Sequence, residues 1–533
     1  MTLPQFAAYV CIVGLGVVLT AFFGVWWFRA MHVPSNFAGS LHMLDFAAFA
    51  LLSYVVWYQI SYELFSWYLA AFMRRPQNPP PPQAGLRVAL LTAFVPVKEP
   101  YDVLEKTLKA MVAVDYPHDT WVLDEGDDER VKKMCARYGA NHFSRKGAPH
   151  FNMEEGAFKA KTKAGNYNAW FSLHGAKYDI VGQHDVDFVP RRNFFVRTLG
   201  YFRDMDVAFV GTPQIYGNKD DSWIARGAAE QAYAFYGPIQ KGLYGHDMSL
   251  FIGANHIIRT AAHDDIEGYA GHIVEDHLTG MRFYARRWTS VYVPEILAVG
   301  EGPSTWDTYF SQQMRWAHGL IDILLKHSPR MFLRMRLKHV ANYFMLQQYY
   351  FYGLAQVVGI ALITLYALFG FQATSMGTGQ LLTLYVPLLL IQLCIFFWLQ
   401  RFNVYPKEES GLLWRARLLN LAAWPVYFLA FIGVLRNKRL VYAVTPKGEQ
   451  EHALNLALFY PHLILGTITA LDMAAGVALH HAAVQILFWA ALNTAIMYYF
   501  FFAAAFEKIS YSSIVSILSS VRMVGRNTKV KAV

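Results

Sequence analysis

Tyr178-Asp179-Ile180-Val181-Gly182-Gln183-His184-Asp185-Val186-Asp187 decides how the middle of this chain is read. An apolar run passes into an acid-x-acid end, the form of a buried strand that delivers side chains to a sheet edge. Residues two apart on a strand point the same way, so Asp185 and Asp187 are expected to address one site. A lone D-x-D is more often a solvated strand end. At the carboxyl edge of an α/β sheet, where ligands bind, two such carboxylates suit a hard divalent cation bridging to phosphates.

The surrounding sequence supports that setting. From Leu86 to about Arg334, β-rich runs alternate with helical ones. Arg87–Val95, Thr120–Asp124, Asp206–Gly211 and Ser249–Gly253 read as further strands. Tyr101–Val114 has helical spacing through Val103, Leu104, Leu108 and Met111, and Asp127–Gly139 is the next helix. The alternation predicts a mostly parallel sheet with helices on both faces.

Outside this half the chain changes character. Of 533 residues, 55% are hydrophobic, 16% aromatic and 16% charged. Mean hydropathy is +0.22, too apolar for an ordinary soluble protein and too charged for a pure membrane bundle. Apolar spans at Tyr9–Phe28, Leu44–Phe72, Val340–Phe371, Leu381–Leu399, Leu454–Leu479 and Ala483–Phe506 are long enough to cross a bilayer. Arg74-Arg75 and the spacer Pro79–Pro82 follow the second. A further stretch, 412–435, holds Arg415, Arg417 and Pro425 and reads as an interfacial helix.

The net charge is +9. The basic residues cluster at 401–417, 436–447 and 508–531, while the 372–380 and 480–481 loops carry no Lys or Arg. Positive charge marks the cytoplasmic face, so both termini and the soluble half are expected there, at a plasma (inner) membrane. No basic–aromatic module points to nucleic acid. Cys11, Cys135 and Cys394 are far apart and form neither a zinc spacing nor a disulfide framework. The first apolar run lacks a basic leader and a cleavage site, so no signal peptide is expected.

Other residue groups suit chemistry on phosphates and sugars. Asp124-Glu125-Gly126 follows a strand, where a carboxylate could accept from a nucleotide or simply form a turn. Lys159, Lys161 and Lys163 could neutralise a diphosphate or be a solvated helix start. Glu275-Asp276 opens a helix, which favours the ionised form that a general base needs; acidic first turns are also commonplace. Phe251-Ile252-Gly253 leaves a strand through small residues. In Gln312-Gln313-Met314-Arg315-Trp316, Gln312 and Arg315 share a helix face, a guanidinium can fork onto phosphate, and the indole offers a flat face for a sugar ring.

In this order the set closely resembles the membrane-embedded, processive family 2 glycosyltransferases, above all bacterial cellulose synthase catalytic subunits and related β-glucan synthases. Tyr442-Ala443-Val444-Thr445-Pro446-Lys447-Gly448 resembles their F-x-V-T-x-K-G gating loop, with Tyr for Phe. The resemblance runs over roughly residues 40–510. It implies a GT-A type catalytic domain with a Rossmann-like mixed sheet, inserted in a helical bundle of about six spans with interfacial helices. Its expected boundaries are two spans in 1–75, a linker at 76–85 and the catalytic domain at 86–305. Interfacial helices at 306–339, two spans at 340–400, an interfacial helix and gating loop at 401–453, two spans at 454–507 and a basic tail at 508–533 complete the division.

Carried over residue by residue, the resemblance implies that Asp124 and Lys163 hold the nucleotide, and that Asp185 and Asp187 hold the sugar diphosphate with Mg²⁺ or Mn²⁺. Asp276 is then the general base. Arg315 meets the diphosphate, Gln312 and Trp316 frame the acceptor, and Phe251 and Gly253 line its path. Tyr442, Thr445 and Lys447 close over the donor. The implied activity is inverting transfer from a nucleotide sugar, UDP-glucose foremost, into a β-glucan that is translocated across the bilayer. Accessory export proteins or self-association are open partners. The chain departs from the family pattern at Lys98 (usually Asn), Glu125 (usually Asp) and Val274 (usually Thr). About 27 residues follow Phe506, so no cyclic-di-GMP-binding barrel is expected, and Arg522 and Arg526 read as a basic tail. A membrane enzyme adding one sugar to a lipid, a synthase of another β-linked polymer, and a transporter with a nucleotide-sugar-sensing domain remain as alternatives.

Overall fold

The computed structural model describes residues 1–438, 440, 455–481 and 483–529, with side chains through 506. Tyr442, Thr445 and Lys447 therefore lie outside the described residues.

Among the described residues, ten strands form two sheets: β1 (Val88–Phe94), β2 (Asp119–Asp124), β3 (Asn141–Phe143), β4 (Ile180–Asp185), β5 (Val189–Pro190), β6 (Val207–Gly211), β7 (Ile215–Tyr216), β8 (Asn255–Arg259), β9 (Thr289–Tyr292) and β10 (Ala298–Gly300). Seven make one sheet in the order β3-β2-β1-β4-β8-β6-β9, and β5-β10-β7 make a small second one. β1 pairs in parallel with β2 and β4, whereas β8 runs antiparallel to both β4 and β6. The sheet is thus mixed, of the GT-A kind. β1 and β4 are buried along nearly their whole length, which explains why they read as continuous apolar runs.

Local chemistry places the helices. Asp128 caps the Glu129–Tyr138 helix by accepting from Arg130 N, and Gly139 ends it in the left-handed region at φ 68°. Thr162 caps the Lys163–His174 helix through Gly165 N.

One expected strand is absent. Ser249–Gly253 is irregular, and the strand begins only at Asn255. Side chains take the backbone donors at the start of the segment. Ser249 N donates to Tyr284 Oη and Ser290 Oγ, and Leu250 N to Gln240 Oε1, leaving no ladder to join.

Among the described residues, six helices are long and apolar enough to cross a membrane: Leu3–Trp27, Gly39–Ala71, Leu337–Phe369, Thr378–Phe402, Leu456–Ala478 and Val484–Phe506. The stretch expected as a single interfacial helix is instead two, Trp414–Ala422 and Trp424–Leu435, bent by 42°. Pro425 stands in the first turn of the second helix, which it can start but not continue from the first. The second helix packs on the Trp306–Asp322 helix that carries Gln312–Trp316 and on the Tyr352–Phe369 helix.

The two halves dock closely. A Cβ at Gly242 would lie 2.3 Å from the Leu69 carbonyl oxygen, and one at Gly245 1.7 Å from that of Phe72. Backbone therefore meets backbone where the second apolar helix reaches the α/β domain. Buried Lys241 donates its Nζ to Phe402 O at 2.5 Å and to Asn403 O at 3.3 Å.

Candidate active site

Gly253 joins three of the motifs. Its carbonyl accepts from Lys163 Nζ at 2.7 Å and from Gln183 Nε2 at 2.8 Å. Its N–H donates to Asp276 Oδ2 at 3.1 Å. Lys163, at the start of its helix, also reaches Asp185 Oδ1 at 2.5 Å. Asp276 is fixed from its other side, where Oδ1 accepts from His277 N at 2.7 Å. A Cβ on residue 253 would stand 2.9 Å from Asp276 Oδ2, so only glycine lets this loop pass so near the carboxylate. Glu275 and Asp276 share one narrow recess with Lys163, Gln183 and Gly253.

Burial dominates the electrostatics. Desolvation raises the Asp276 carboxyl, against the pull of the His277 and Gly253 N–H groups and the Lys163 and Arg315 charges. Glu275 is raised by the same desolvation and by the Asp276 charge, again against Lys163 and Arg315. Two adjacent carboxyls in a dry recess thus favour holding a proton, and the two cations keep them able to lose it. His184, next to Asp185 on β4, is lowered to about 3 by burial and stays neutral.

The D-x-D pair is placed differently from the strand-alternation expectation. β4 ends at Asp185, and Val186–Asp187 lie in a turn closed by Phe188 N donating to Asp185 O at 2.9 Å. The period of two therefore stops before Asp187. Asp185 keeps 34% of its side chain exposed and meets Lys163. Asp187 is buried, accepts from Glu301 N at 3.3 Å, and lines a cavity of ≈ 290 Å³ with Lys106, Thr107, Asn218 and Glu301. Asp185 and Asp187 thus stand either side of one turn, with Glu301 on the same cavity wall as Asp187, and their carboxylate oxygens are the donor type that Mg²⁺ or Mn²⁺ prefers.

Asp124 is 0% exposed and turned inward. Its oxygens accept from Gly126 N at 2.8 Å and Asp128 N at 2.5 Å, and one of them lies 3.1 Å from His142 Nε2. In this structure it shapes the loop after β2. Phe251 is also buried, packed on Phe209, His256 and Phe283. On the Trp306–Asp322 helix, Gln312, Arg315 and Trp316 are half-buried, and Arg315 is close enough to act on both Glu275 and Asp276. Gln313, the neighbour that the motif skips, is buried and accepts from Tyr427 Oη at 2.9 Å.

Two contributors escaped the sequence reading. Gln183 lies two residues before Asp185 on the same strand, so the period of two could have found it. Arg145 left no such sign. Its guanidinium, 1% exposed, bonds Glu125 Oε1 at 2.6 and 3.0 Å and the carbonyls of Phe151, Lys159 and Thr162 at 3.0–3.1 Å. It ties Glu125 to the loop before Lys163.

The comparisons fall on this site. Residues 180–402 match the model of glycosyl transferase family group 2. The matched range starts at β4 and takes in Asp185, Asp187, Gly253, Asp276 and Gln312–Trp316. Over this range the chain is similar to the family 2 glycosyltransferases. It is 26% identical over 278 residues to cellulose synthase 1 catalytic subunit [UDP-forming] of Komagataeibacter xylinus, covering 50% of this chain and 36% of that protein. It is 23% identical over 454 residues to the cellulose synthase catalytic subunit [UDP-forming] of Pseudomonas fluorescens, covering 82% and 58%. The chain thus spans between about a third and three-fifths of these relatives' lengths. Among solved structures, a mannosyltransferase from Pyrobaculum calidifontis in complex with GDP-Man and Mn²⁺ aligns at 15% identity and TM-score 0.48, over 74% of this chain and 99% of that one. The matched glycosyltransferase range thus lies in a chain that also carries, among its described residues, six helices long and apolar enough to cross a membrane.

Proposed function

We propose that the chain polymerises sugar from a nucleotide-sugar donor, UDP-glucose foremost, into a β-glucan and passes the product across the membrane. The observation that carries this is the Gly253–Asp276 pairing beside Lys163 and Arg315, the last on a helix that packs on the Trp424–Leu435 helix. The names of the relatives, cellulose synthase catalytic subunits that form UDP, support the donor and the product.

The chemistry is a single displacement at the anomeric carbon. The acceptor hydroxyl oxygen attacks, the bond to the diphosphate oxygen breaks, and configuration inverts. Asp276, oriented through both oxygens, takes the hydroxyl proton. Its raised pKa makes it a stronger base than an ordinary carboxylate while Lys163 and Arg315 keep it ionisable. The departing diphosphate carries new negative charge, and Arg315 and Lys163 are the cations placed to receive it. Lys163 must then leave Asp185 as the donor enters, exchanging one anion for another. Asp185 and Asp187 would hold Mg²⁺ or Mn²⁺, which supplies further charge neutralisation at the diphosphate. One base suffices, and the paired acid and nucleophile of a retaining glycosidase are not required.

The test is a panel of UDP-glucose, UDP-N-acetylglucosamine and GDP-mannose offered to membranes holding the chain, with linkage analysis of the product. A β-glucan made from UDP-glucose alone supports the reading. Transfer of one sugar to a lipid, or polymer only from another donor, overturns the polymer or the donor respectively.

A further inference from the structure

A second group of ligand-type side chains lies outside these motifs. His272 precedes the Glu275–Ala285 helix, Asp322 ends the Trp306–Asp322 helix, and His327 closes the turn of π-helix at Ile323–His327. Among the described residues this is the one group of three or more His, Cys, Asp or Glu whose donor atoms all lie within 4.8 Å of one another. His272 Nε2 is 3.2 Å from Asp322 Oδ2, and His327 Nε2 is 4.0 Å from the same oxygen. The two imidazoles meet edge to face, 5.7 Å between centroids at 77°.

We propose that His272, Asp322 and His327 form a transition-metal site of the zinc class, separate from the carboxylates at Asp185 and Asp187. Two imidazoles and one carboxylate suit zinc, copper, nickel or cobalt, whereas the oxygen-only set near β4 suits magnesium or manganese. Zinc holds nitrogen and oxygen donors at about 2.0–2.1 Å, and in a tetrahedron such donors stand roughly 3.3 Å apart. The His272–Asp322 spacing already matches. His327 needs a shift of less than about 1 Å, and its side chain is 43% exposed and has room to make it. Three protein ligands leave a fourth position for water.

Two neighbours must adjust. Lys326 Nζ sits 2.6 Å from the other oxygen, Asp322 Oδ1, on a side chain 45% exposed that can swing into solvent. Val274 N donates to His272 Nδ1 at 3.2 Å. A metal on Nε2 puts the ring proton on Nδ1, so Nδ1 can no longer accept from Val274. Val274 is the residue on which the Glu275–Ala285 helix starts. Metal occupancy at this site is therefore transmitted to the backbone just ahead of Asp276, and it joins that segment to the end of the helix that carries Arg315 and Trp316.

The test uses the full-length chain without a polyhistidine tag, purified in detergent and titrated with Co²⁺ in excess Mg²⁺. The site predicts a saturable visible d–d absorption at one ion per chain, displaced by Zn²⁺ and untouched by Mg²⁺. His272→Ala and His327→Ala should each weaken Co²⁺ binding at least tenfold, whereas Asp187→Asn should leave it unchanged. No saturable absorption in the wild type, or equal affinity in His327→Ala, overturns the proposal. Should His272→Ala fail to accumulate, His327→Ala decides alone, because that side chain is 43% exposed and its loss disturbs the fold less. Cobalt uptake is read without any sugar transfer, so this test stands or falls apart from the proposed reaction.

Discussion

In the proposed reaction, transfer turns on Gly253 and Asp276. Replacing Gly253 with Ala adds a carbon 2.9 Å from the Asp276 carboxylate. Transfer should fall by roughly 10–100-fold, as expected when a catalytic group is displaced by a fraction of an ångström, while donor binding survives. Initial rates beside nucleotide-binding isotherms would separate the two. The raised Asp276 carboxyl should put the acid limb of kcat/KM above the ordinary carboxylate value near ~4, with activity lost as pH falls through it. Lys163 holds this carboxyl down, so Lys163→Met should move the limb to still higher pH; a limb that stays put removes Lys163 from the electrostatics. Glu275 is raised as well, so the folded chain prefers it protonated. Its contribution to stability is full below the ordinary carboxylate value and is lost as pH rises through the raised one. Glu275→Gln should therefore flatten the fall of the thermal midpoint with rising pH in detergent. The acid-rich strand ends and Glu275-Asp276 were legible because carboxylates at such places stand out in a sequence. The inward turn of Asp124 and the hub role of the Gly253 backbone were not, since backbone hydrogen bonds leave no mark on residue type.

At the scale of elements, the Trp306–Asp322 helix is the hinge between chemistry and membrane. Its Arg315 acts on the acidic recess, while Gln313 accepts from Tyr427 of the bent pair. Trp316→Ala should stop elongation with donor binding largely kept, measured as product length beside nucleotide affinity. The tyrosines after this helix make closed contacts. Tyr349 donates to Asn420 Oδ1 at 2.8 Å, and Tyr350 meets Tyr427 edge to face with centroids 5.0 Å apart. Replacing Tyr349 and Tyr350 with Leu should shorten the product more than it slows donor hydrolysis. Unchanged product length would leave these side chains with packing alone. The sequence period found the strands that run through the core, because their apolar runs are unbroken. It failed at Ser249–Gly253, where β-type residues are held in coil by the Tyr284, Ser290 and Gln240 side chains. It failed again at Asp187, which a turn removes from the strand.

For the molecule as a whole, the α/β domain is seated closely on the apolar helices, as the proposed passage of product from one to the other requires. Lys241 is buried against the carbonyls of Phe402 and Asn403, and burial lowers its ammonium to about 7. Lys241→Ala would leave two carbonyls in the seam without this donor, a loss of about 1–3 kcal/mol each, and should lower the thermal midpoint. The long apolar spans announced the membrane half through composition alone. The docking itself, glycine backbone against the end of the Met43–Ala71 helix, depends on a shape match between distant segments that no local pattern records. The central claim is that Asp276 activates an acceptor which grows into a polymer. It is tested most directly by incubating membranes carrying the wild type or Asp276→Asn with labelled UDP-glucose and Mg²⁺, then sizing the labelled product. The account predicts high-molecular-weight β-glucan from the wild type and a loss of at least ~10²-fold in the variant. Undiminished polymer from Asp276→Asn, or only single-sugar products from the wild type, would contradict it.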